Sequence, residues 1–292
     1  MDNIIAKAET LLEALPYVQR FRGETFVIKY GGSFMDSTDP AMRGGVARDI
    51  VFLEAVGINP VVVHGGGKAI TQALDQAGFK TRFEQGHRVT TPESVGVVEQ
   101  VLSREVNPGI VSMINELGGK ARGFSGTDIF RCRSFRPLGQ ADEPLDIGRV
   151  GEVTEVNTEP LLDCIAQDIT PVISPTATGE DGQVYNCNAD VAAGQTAVAI
   201  KPKRLVYMSD VPGLLQNPDD SASVISHLPL AEVAALKSNG VISRGMIPKV
   251  DSAVSAVAAG VEKVFFIDGG MSHSLLLEIF TDAGVGTEIV EK

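Results

Sequence analysis

Two lysines and one aspartate occupy positions that are suited to phosphoryl transfer. Lys29 stands at the end of the apolar run TFVIK, and Lys249 closes the run GMIPK at the start of a predicted helix. Asp190 ends the run NCNAD, at a predicted strand-to-helix junction. Lysines neutralise charge on a phosphoryl group in transit, and a carboxylate can orient them. Each lysine taken alone is better explained as a solvated surface charge, so only the combination favours this chemistry.

Three glycine loops lie beside apolar runs: KYGGS (29–33), HGGG (64–67) and GFSG (123–126). Glycine lets the backbone turn sharply and bring N–H groups close to an anion, and the N-terminus of a following helix attracts the same anion. Each loop by itself is also ordinary turn chemistry. The sequence contains neither GxxxxGK followed by Ser or Thr, nor GxGxxG, nor GxSxG, so the best-known nucleotide and hydrolase motifs are missing.

The elements that must position these residues alternate between strand and helix. Such alternation predicts an α/β fold with an open, mostly parallel central sheet that is flanked by helices, and ligands at the carboxyl ends of its strands. The turn-rich stretch 175–186 is predicted to lead into a second lobe. The main predicted strands are 25–29, 60–63, 171–174, 204–208 and 263–267, and the main predicted helices are 40–56, 67–78, 92–117, 159–168, 189–200 and 246–259.

Composition and charge exclude several classes of protein. The 292 residues carry a net charge of −12, which argues against a nucleic-acid binder or a protein that binds anionic membranes. Three cysteines without a CxxC pair and scattered histidines predict no disulfide framework and no metal site. The N-terminus has no signal-peptide pattern, so a cytoplasmic location is expected.

Residues 2–15 have helical spacing that ends before Pro16. This spacing predicts a helix that packs either on its own domain or on a neighbouring subunit.

Read in chain order, a series of runs resembles the amino acid kinase family, and within it the members that phosphorylate N-acetyl-L-glutamate. The runs are VIKYGG (27–32), VVHGGG (62–67), GHRVT (86–90), GRVGEVTEVN (148–157), YNCNAD (185–190), MSDVPGL (208–214), GMIPKV (245–250) and HSLLLEIFTDAGVGT (273–287). The resemblance implies a two-lobed fold, with the acyl-amino-acid lobe at 23–178, the ATP lobe at 179–292, and an N-terminal helix at 1–22. It also implies transfer of the ATP γ-phosphoryl to the side-chain carboxylate, giving N-acetyl-L-glutamyl 5-phosphate, the second step of arginine biosynthesis.

The resemblance also assigns roles to individual residues. Lys29 and Lys249 would stabilise the phosphoryl group, and Asp190 would hold both. Mg²⁺ would enter on the phosphates of ATP, and no general base is needed because the attacking carboxylate is already ionised at neutral pH. The expected substrate-binding residues are Gly65, Gly66, Arg88, Asn186 and Asn188, with Arg88 on the α-carboxylate. The expected nucleotide-binding residues are Gly31, Gly32, Ser209, Asp210, Gly245 and Met246.

The resemblance extends to arginine-sensitive members, in which an extra N-terminal helix links dimers into a hexamer. It therefore implies a homo-oligomer, dimer or hexamer, with L-arginine as an effector that binds near Glu278 and Gly286. Thr127, Arg244, Lys68 and Gly270 depart from the residues common at those positions. A kinase of the same fold for another carboxylate or for UMP, and a non-enzymatic arginine-binding regulator, remain alternatives.

Overall fold

The central sheet has eight strands, of which one neighbouring pair is antiparallel. The computed structural model describes residues 2–32, 35, 40–139, 143–217, 219–243, 245–282 and 284–292. In sheet order the strands are β12 (His227–Pro229), β14 (Thr287–Val290), β13 (Lys263–Asp268), β11 (Arg204–Ser209), β1 (Thr25–Tyr30), β2 (Asn59–His64), β8 (Thr170–Ile173) and β5 (Ala121–Phe124). β13 and β14 are antiparallel, and the other pairs are parallel. The predicted fold class is therefore confirmed.

Helices cover both faces of this sheet, because its inner strands are apolar on both sides. Phe26 and Ile28 of β1 join one core, whereas Val27 joins the other, as the two-residue period of a strand requires. The helices are α1 (Asp2–Phe21), α2 (Pro40–Ala55), α3 (Gly67–Gln76), α4 (Val95–Glu99), α5 (Asn107–Glu116), α6 (Gly126–Ile129), α7 (Glu159–Ile165), α8 (Ala189–Ile200), α9 (Leu230–Ser238), α10 (Met246–Ala258) and α11 (Ser274–Phe280).

Two smaller sheets stand apart from the central one. β6 (Phe130–Ser134), β7 (Val150–Val156), β9 (Thr176–Gly179) and β10 (Val184–Cys187) close into a four-stranded barrel. β3 (Phe83–Glu84) and β4 (His87–Arg88) form a short antiparallel hairpin. The turn-rich stretch 175–186 forms the β9–β10 hairpin of the barrel. The division into lobes at 178 stays a prediction.

Two predicted helices differ from the observed ones. The helix predicted for 2–15 continues to Phe21 with Pro16 inside it, so the predicted stop was wrong. Proline removes one backbone hydrogen bond, but its fixed φ is helical, and Tyr17, Val18 and Phe21 pack on the core beyond it. The helix predicted for 92–117 is interrupted by a π-helical segment, Gln100–Val106, between α4 and α5. Within the described ranges, no helix combines the length and apolarity needed to cross a membrane.

Candidate active site

Lys29, Asp190 and Lys249 meet although they lie far apart in the sequence. The Lys29 ammonium lies 3.0 Å from Oδ1 of Asp190, and the Lys249 ammonium donates a hydrogen bond to Oδ2. All three side chains are largely buried. They meet because β1 turns Lys29 toward the same face as Val27, and α8 and α10 pack on that face. The predicted grouping of two lysines about one carboxylate is therefore present.

The charges in this cluster stabilise one another against the cost of burial. Burial would raise the pKa of the Asp190 carboxyl, but Lys29 and Lys249 outweigh it and lower that pKa to about 2. Burial lowers the pKa of Lys249, and the neighbouring Lys29 lowers it further, whereas Asp190 and Asp210 raise it. One carboxylate between two lysines leaves a net positive charge. A buried site with that charge is suited to an anionic reacting group.

Asp190 is held by local contacts at the start of α8. The Asn188 side chain caps the helix, and its Oδ1 accepts hydrogen bonds from the backbone N–H groups of Asp190 at 2.8 Å and Val191 at 3.4 Å. The Tyr207 hydroxyl donates to the carbonyl oxygen of Asp190 at 3.2 Å. The carboxylate therefore projects from a backbone that is fixed on both sides.

The glycine loops after β1 and β2 approach each other closely. The N–H of Gly65 donates to the Tyr30 carbonyl at 2.7 Å. A Cβ on Gly65 would lie 3.6 Å from Cα of Gly31, and a Cβ on Gly31 would lie 2.4 Å from Nζ of Lys29. A larger residue at Gly31 would therefore displace the Lys29 side chain, whereas a Cβ at Gly65 would make an ordinary van der Waals contact with the neighbouring loop.

Two adjoining cavities open over these loops. The larger, about 750 Å³, is lined by Lys29, Gly31, Gly32, Gly65, Gly66, Lys68, Arg88 and Asp210, among others. The smaller, about 190 Å³, shares Gly65, Gly66 and Arg88, and adds Asn186, Asn188 and Asp190. The glycines and cations of the larger cavity can bind a phosphate. The amides of the smaller cavity can bind a small polar acceptor. Of the predicted site residues that the structure describes, Ser209, Gly245 and Met246 line neither cavity.

Arg88 lies between the two cavities and is held by three hydrogen bonds. Its Nη2 donates to the Gly67 carbonyl at 2.8 Å and to Thr71 Oγ1 at 2.9 Å, and its Nη1 donates to Thr81 Oγ1 at 3.3 Å. The guanidinium stacks over the Phe83 ring, 4.8 Å from its centroid. A guanidinium has five N–H groups, so three bonds do not exhaust its donors. Burial lowers the Arg88 pKa, partly offset by Asp75.

The remaining predicted residues surround this cluster. The Asn186 amide donates to Thr90 Oγ1 at 3.2 Å, beside the smaller cavity. Ser209 ends β11, and its buried hydroxyl has no hydrogen-bond partner among the described atoms. Gly245 precedes α10 as its N-cap, and Met246 begins that helix. Arg244, one of the departures, lies outside the described residues.

Glu278 and Gly286 lie at a separate cavity of about 330 Å³, and Gly284 also lines it. The Glu278 carboxylate accepts the backbone N–H groups of Val285 at 2.7 Å and Gly286 at 3.0 Å. A Cβ on Gly286 would lie 2.1 Å from the Phe266 carbonyl oxygen, so this turn requires glycine. α1 contributes Tyr17 and Arg20 to the lining.

Comparison with known proteins shows which family the chain belongs to. Residues 24–268 match the sequence profile of the Amino acid kinase family. The chain belongs to the amino acid kinase family. Acetylglutamate kinase from Akkermansia muciniphila is 46% identical over 294 residues, covering 100% of this chain and 98% of the relative. Acetylglutamate kinase from Carboxydothermus hydrogenoformans is 47% identical over 292 residues, covering 98% and 99%.

The amino acid kinase fold is also seen in a solved structure of low sequence identity. N-acetylglutamate synthase from Neisseria gonorrhoeae, complexed with coenzyme A and N-acetyl-glutamate, superposes with a TM-score of 0.83 at 24% identity. The match covers 98% of this chain and 63% of the synthase chain. At this identity the likeness supports the fold alone.

Several residues of this amino acid kinase site were missed at the level of sequence. Thr71, Thr81 and Phe83 hold Arg88, but each looks ordinary in its segment. Tyr207 could have been found, because a hydroxyl inside the buried strand RLVYMS requires a hydrogen-bond partner. Asn107 has no local signal, since its partners come from β2 and β8.

Proposed function

We propose that the chain catalyses ATP-dependent phosphorylation of the side-chain carboxylate of N-acetyl-L-glutamate, the second step of arginine biosynthesis. The product is N-acetyl-L-glutamyl 5-phosphate. The observation that carries this proposal is the buried Lys29–Asp190–Lys249 cluster, which lies beside the cavities that contain the glycine loops and Arg88. The full-length similarity to proteins named acetylglutamate kinase supports the choice of acceptor.

In this mechanism the acceptor carboxylate attacks the γ-phosphorus of ATP. The bond between the γ-phosphorus and the β,γ-bridging oxygen breaks, and that oxygen leaves with ADP. Lys29 neutralises charge from the acceptor side and Lys249 from the nucleotide side, while Asp190 keeps both ammonium groups in place. The acceptor is ionised at neutral pH, so no side chain needs to remove a proton. The N–H groups of the glycine loops donate to phosphoryl and carboxylate oxygens, which stabilises charge that spreads in the transition state.

The two cavities suggest how the substrates divide between the lobes. Arg88 pairs with the α-carboxylate of the acceptor, and Asn186 and Asn188 contact its α-substituents. ATP lies toward Ser209, Asp210 and the start of α10, in the lobe proposed for residues 179–292. Mg²⁺ bound to the phosphates would neutralise part of their charge, and Asp210 is one of the carboxylates that line the larger cavity. In the described part of the chain, no three His, Cys, Asp or Glu side chains are grouped for metal binding.

The test is ADP release with MgATP across a panel of acceptors, for wild type and Lys249→Ala. The panel holds N-acetylglutamate, glutamate, aspartate, N-acetylaspartate and UMP. We expect turnover of N-acetylglutamate, and a fall in kcat of about 100-fold or more in the variant. Lys237→Ala is the matched control, because Lys237 forms a surface pair with Asp251. Turnover of a different acceptor would change the substrate, and no turnover would favour a binding protein.

We also propose L-arginine as an effector at the cavity beside Glu278. Glu278, Asp282 and Glu288 supply carboxylates there, and a guanidinium pairs well with carboxylates. We expect millimolar arginine to lower the activity and to raise the unfolding temperature, and Glu278→Gln to weaken both effects. Glu291→Gln, at an exposed position after β14, is the control. If arginine changed neither quantity, this site would lose its proposed ligand.

We propose that the chain forms a homo-oligomer through α1, as a dimer or a hexamer. Leu11 and Leu12 of α1 are 71% and 65% exposed, which is unusual for leucines on a helix that is anchored at one end. The cytoplasm is the proposed location.

A further inference from the structure

We propose that His64 and Asn107 are positioning residues that aim the Gly66 N–H at the reacting group. This inference rests on the proposed function and concerns residues that contact neither cavity's expected ligand directly. His64 ends β2 immediately before the glycine loop and is fully buried. Asn107 begins α5, after the π-helical segment, and is also buried.

The hydrogen bonds fix which ring nitrogen of His64 carries the proton. Nδ1 lies 2.8 Å from the Gly65 carbonyl oxygen, which can only accept, so Nδ1 must be the donor. Nε2 lies 3.2 Å from Nδ2 of Asn107. That amide nitrogen also donates to the Val172 carbonyl at 2.9 Å and lies 3.5 Å from the Phe124 carbonyl oxygen, so Nε2, at the shorter distance of 3.2 Å, is the better acceptor of its second hydrogen. Two backbone carbonyls thus determine both the histidine tautomer and the amide orientation.

The bond to the Gly65 carbonyl sets the direction of the next N–H. In a planar trans peptide, the C=O of Gly65 and the N–H of Gly66 point in opposite directions. His64 is in the core below the loop, whereas Gly65, Gly66 and Gly67 line the cavities above it. Holding the carbonyl toward His64 therefore turns the Gly66 N–H toward the cavities. Without this bond, a glycine peptide could rotate at little cost.

The π-helical segment and its neighbours pack against the HGGG loop and against Asn107. A Cβ on Gly66 would lie 2.8 Å from Cδ2 of Leu102, so Leu102 packs directly under the loop. A Cβ on Gly123 would lie 2.2 Å from Oδ1 of Asn107, so a glycine in β5 makes room for the amide. π-Helical turns often occur at functional sites because they redirect side chains from the regular helical face. Here the segment ends immediately before Asn107.

Burial supports the same assignment. It lowers the pKa of His64 to about 4, although the bond to Gly65 acts in the opposite direction. The ring is therefore neutral at physiological pH, and a single proton on Nδ1 leaves Nε2 available as an acceptor.

Two amide substitutions separate positioning from simple packing. His64→Asn can keep an N–H near the Nδ1 position, whereas His64→Gln places its amide near the Nε2 position and loses the donor to Gly65. We expect His64→Asn to keep kcat within about threefold of wild type and His64→Gln to lower it about 10–100-fold, the range for supporting groups at active sites. KM values for both substrates should change much less than kcat. Equal kcat values in the two variants would overturn the inference.

A second measurement does not depend on activity or on the folding of a variant. The imidazole ¹⁵N shifts of wild type, with His64 assigned by backbone correlation, should show a proton on Nδ1 and a bare Nε2. A proton on Nε2 would overturn the inference. If wild type released no ADP with N-acetylglutamate, the proposed function would fail, and the tautomer would still decide the contact to Gly65.

Discussion

Among single residues, Asp190 has the largest influence on the electrostatics of the site. Its carboxylate is buried between two ammonium groups, and each lysine would be poorly compensated without it. Removing one partner of a buried ion pair is costly, because the remaining charge has lost its water and its counterion. We therefore expect function and stability to depend on the same side chain.

Substituting Asp190 by asparagine should affect both quantities. We expect kcat to fall about 100-fold or more, because neither lysine is held in position, and the free energy of unfolding to fall by about 3–5 kcal/mol. Initial rates and urea unfolding would measure the two effects. The matched control is Asp251→Asn, which removes a surface ion pair between Asp251 of α10 and Lys237 of α9 and should cost less than about 1 kcal/mol. Similar losses in both variants would contradict the assignment.

His64 should make the stability of the protein depend on pH. Its pKa is about 4 in the folded protein, against 6.5 for the ordinary side chain. Between these values the unfolded chain binds more protons than the folded protein. The contribution of His64 to stability is therefore greatest above pH 6.5 and is lost as the pH is lowered toward 4. The contribution of this group between pH 7 and pH 5 is about 2 kcal/mol.

The measurement is urea unfolding at pH 7 and pH 5 for wild type and for His64→Asn. Asparagine does not titrate in this range. Between pH 7 and pH 5 the variant should therefore lose about 2 kcal/mol less stability than wild type, which is the contribution of His64. His87→Asn is the control at a half-buried histidine, where burial also lowers the pKa of the ring. An equal acid dependence in wild type and His64→Asn would show that the ring is protonated without penalty.

Among the elements, helix α8 determines where the carboxylate lies. Its buried face consists of small residues, including Ala192, Ala193 and Gly194, which let the helix lie close to β1 and α10. A Cβ on Gly194 would lie 2.8 Å from the Ser252 side chain and 3.0 Å from the Tyr207 hydroxyl. Close packing of α8 and α10 brings Lys249 within reach of Asp190.

The cap of α8 can be tested separately from its packing. Asn188→Ala removes the acceptor of two backbone N–H groups, so we expect a loss of about 1 kcal/mol in stability and a lower kcat. Asn188→Ser keeps a capping oxygen and should restore most of the stability. Thermal unfolding and ADP release would be compared for both. Equal stability of the alanine and serine variants would mean that the cap contributes little.

For the whole molecule, the proposed oligomer can be tested at the exposed leucines of α1. The end of α1 is anchored by Tyr17, Val18 and Phe21, whereas Leu11 and Leu12 face away from the core. We expect Leu11→Glu with Leu12→Glu to reduce the mass measured by light scattering, because the charges would have to be buried in the interface. Glu9→Gln with Glu13→Gln, on the same helix, is the control. An unchanged mass in the leucine variant would place the contact elsewhere.

Much of the fold could be predicted from sequence, because its signals are local. The runs TFVIK, PVVV and KVFFI are β-branched and apolar, and the helices between them have helical spacing. The stop predicted at Pro16 failed because tertiary packing of the last turn outweighed a local helix-breaking signal. The π-helical segment has no known local signature, so the helix predicted for 92–117 appeared continuous.

The sequence by itself determined the α/β class, the strand-end glycine loops and the residue types of the lysine–aspartate cluster, since these depend on neighbours within a few positions. Only the tertiary structure decided that Lys29, Asp190 and Lys249 touch, because their separation in the chain says nothing about distance across a sheet. The support from Thr71 and Asn107 likewise became visible only there. Such contacts join different strands and helices, and each is specified by packing rather than by local sequence.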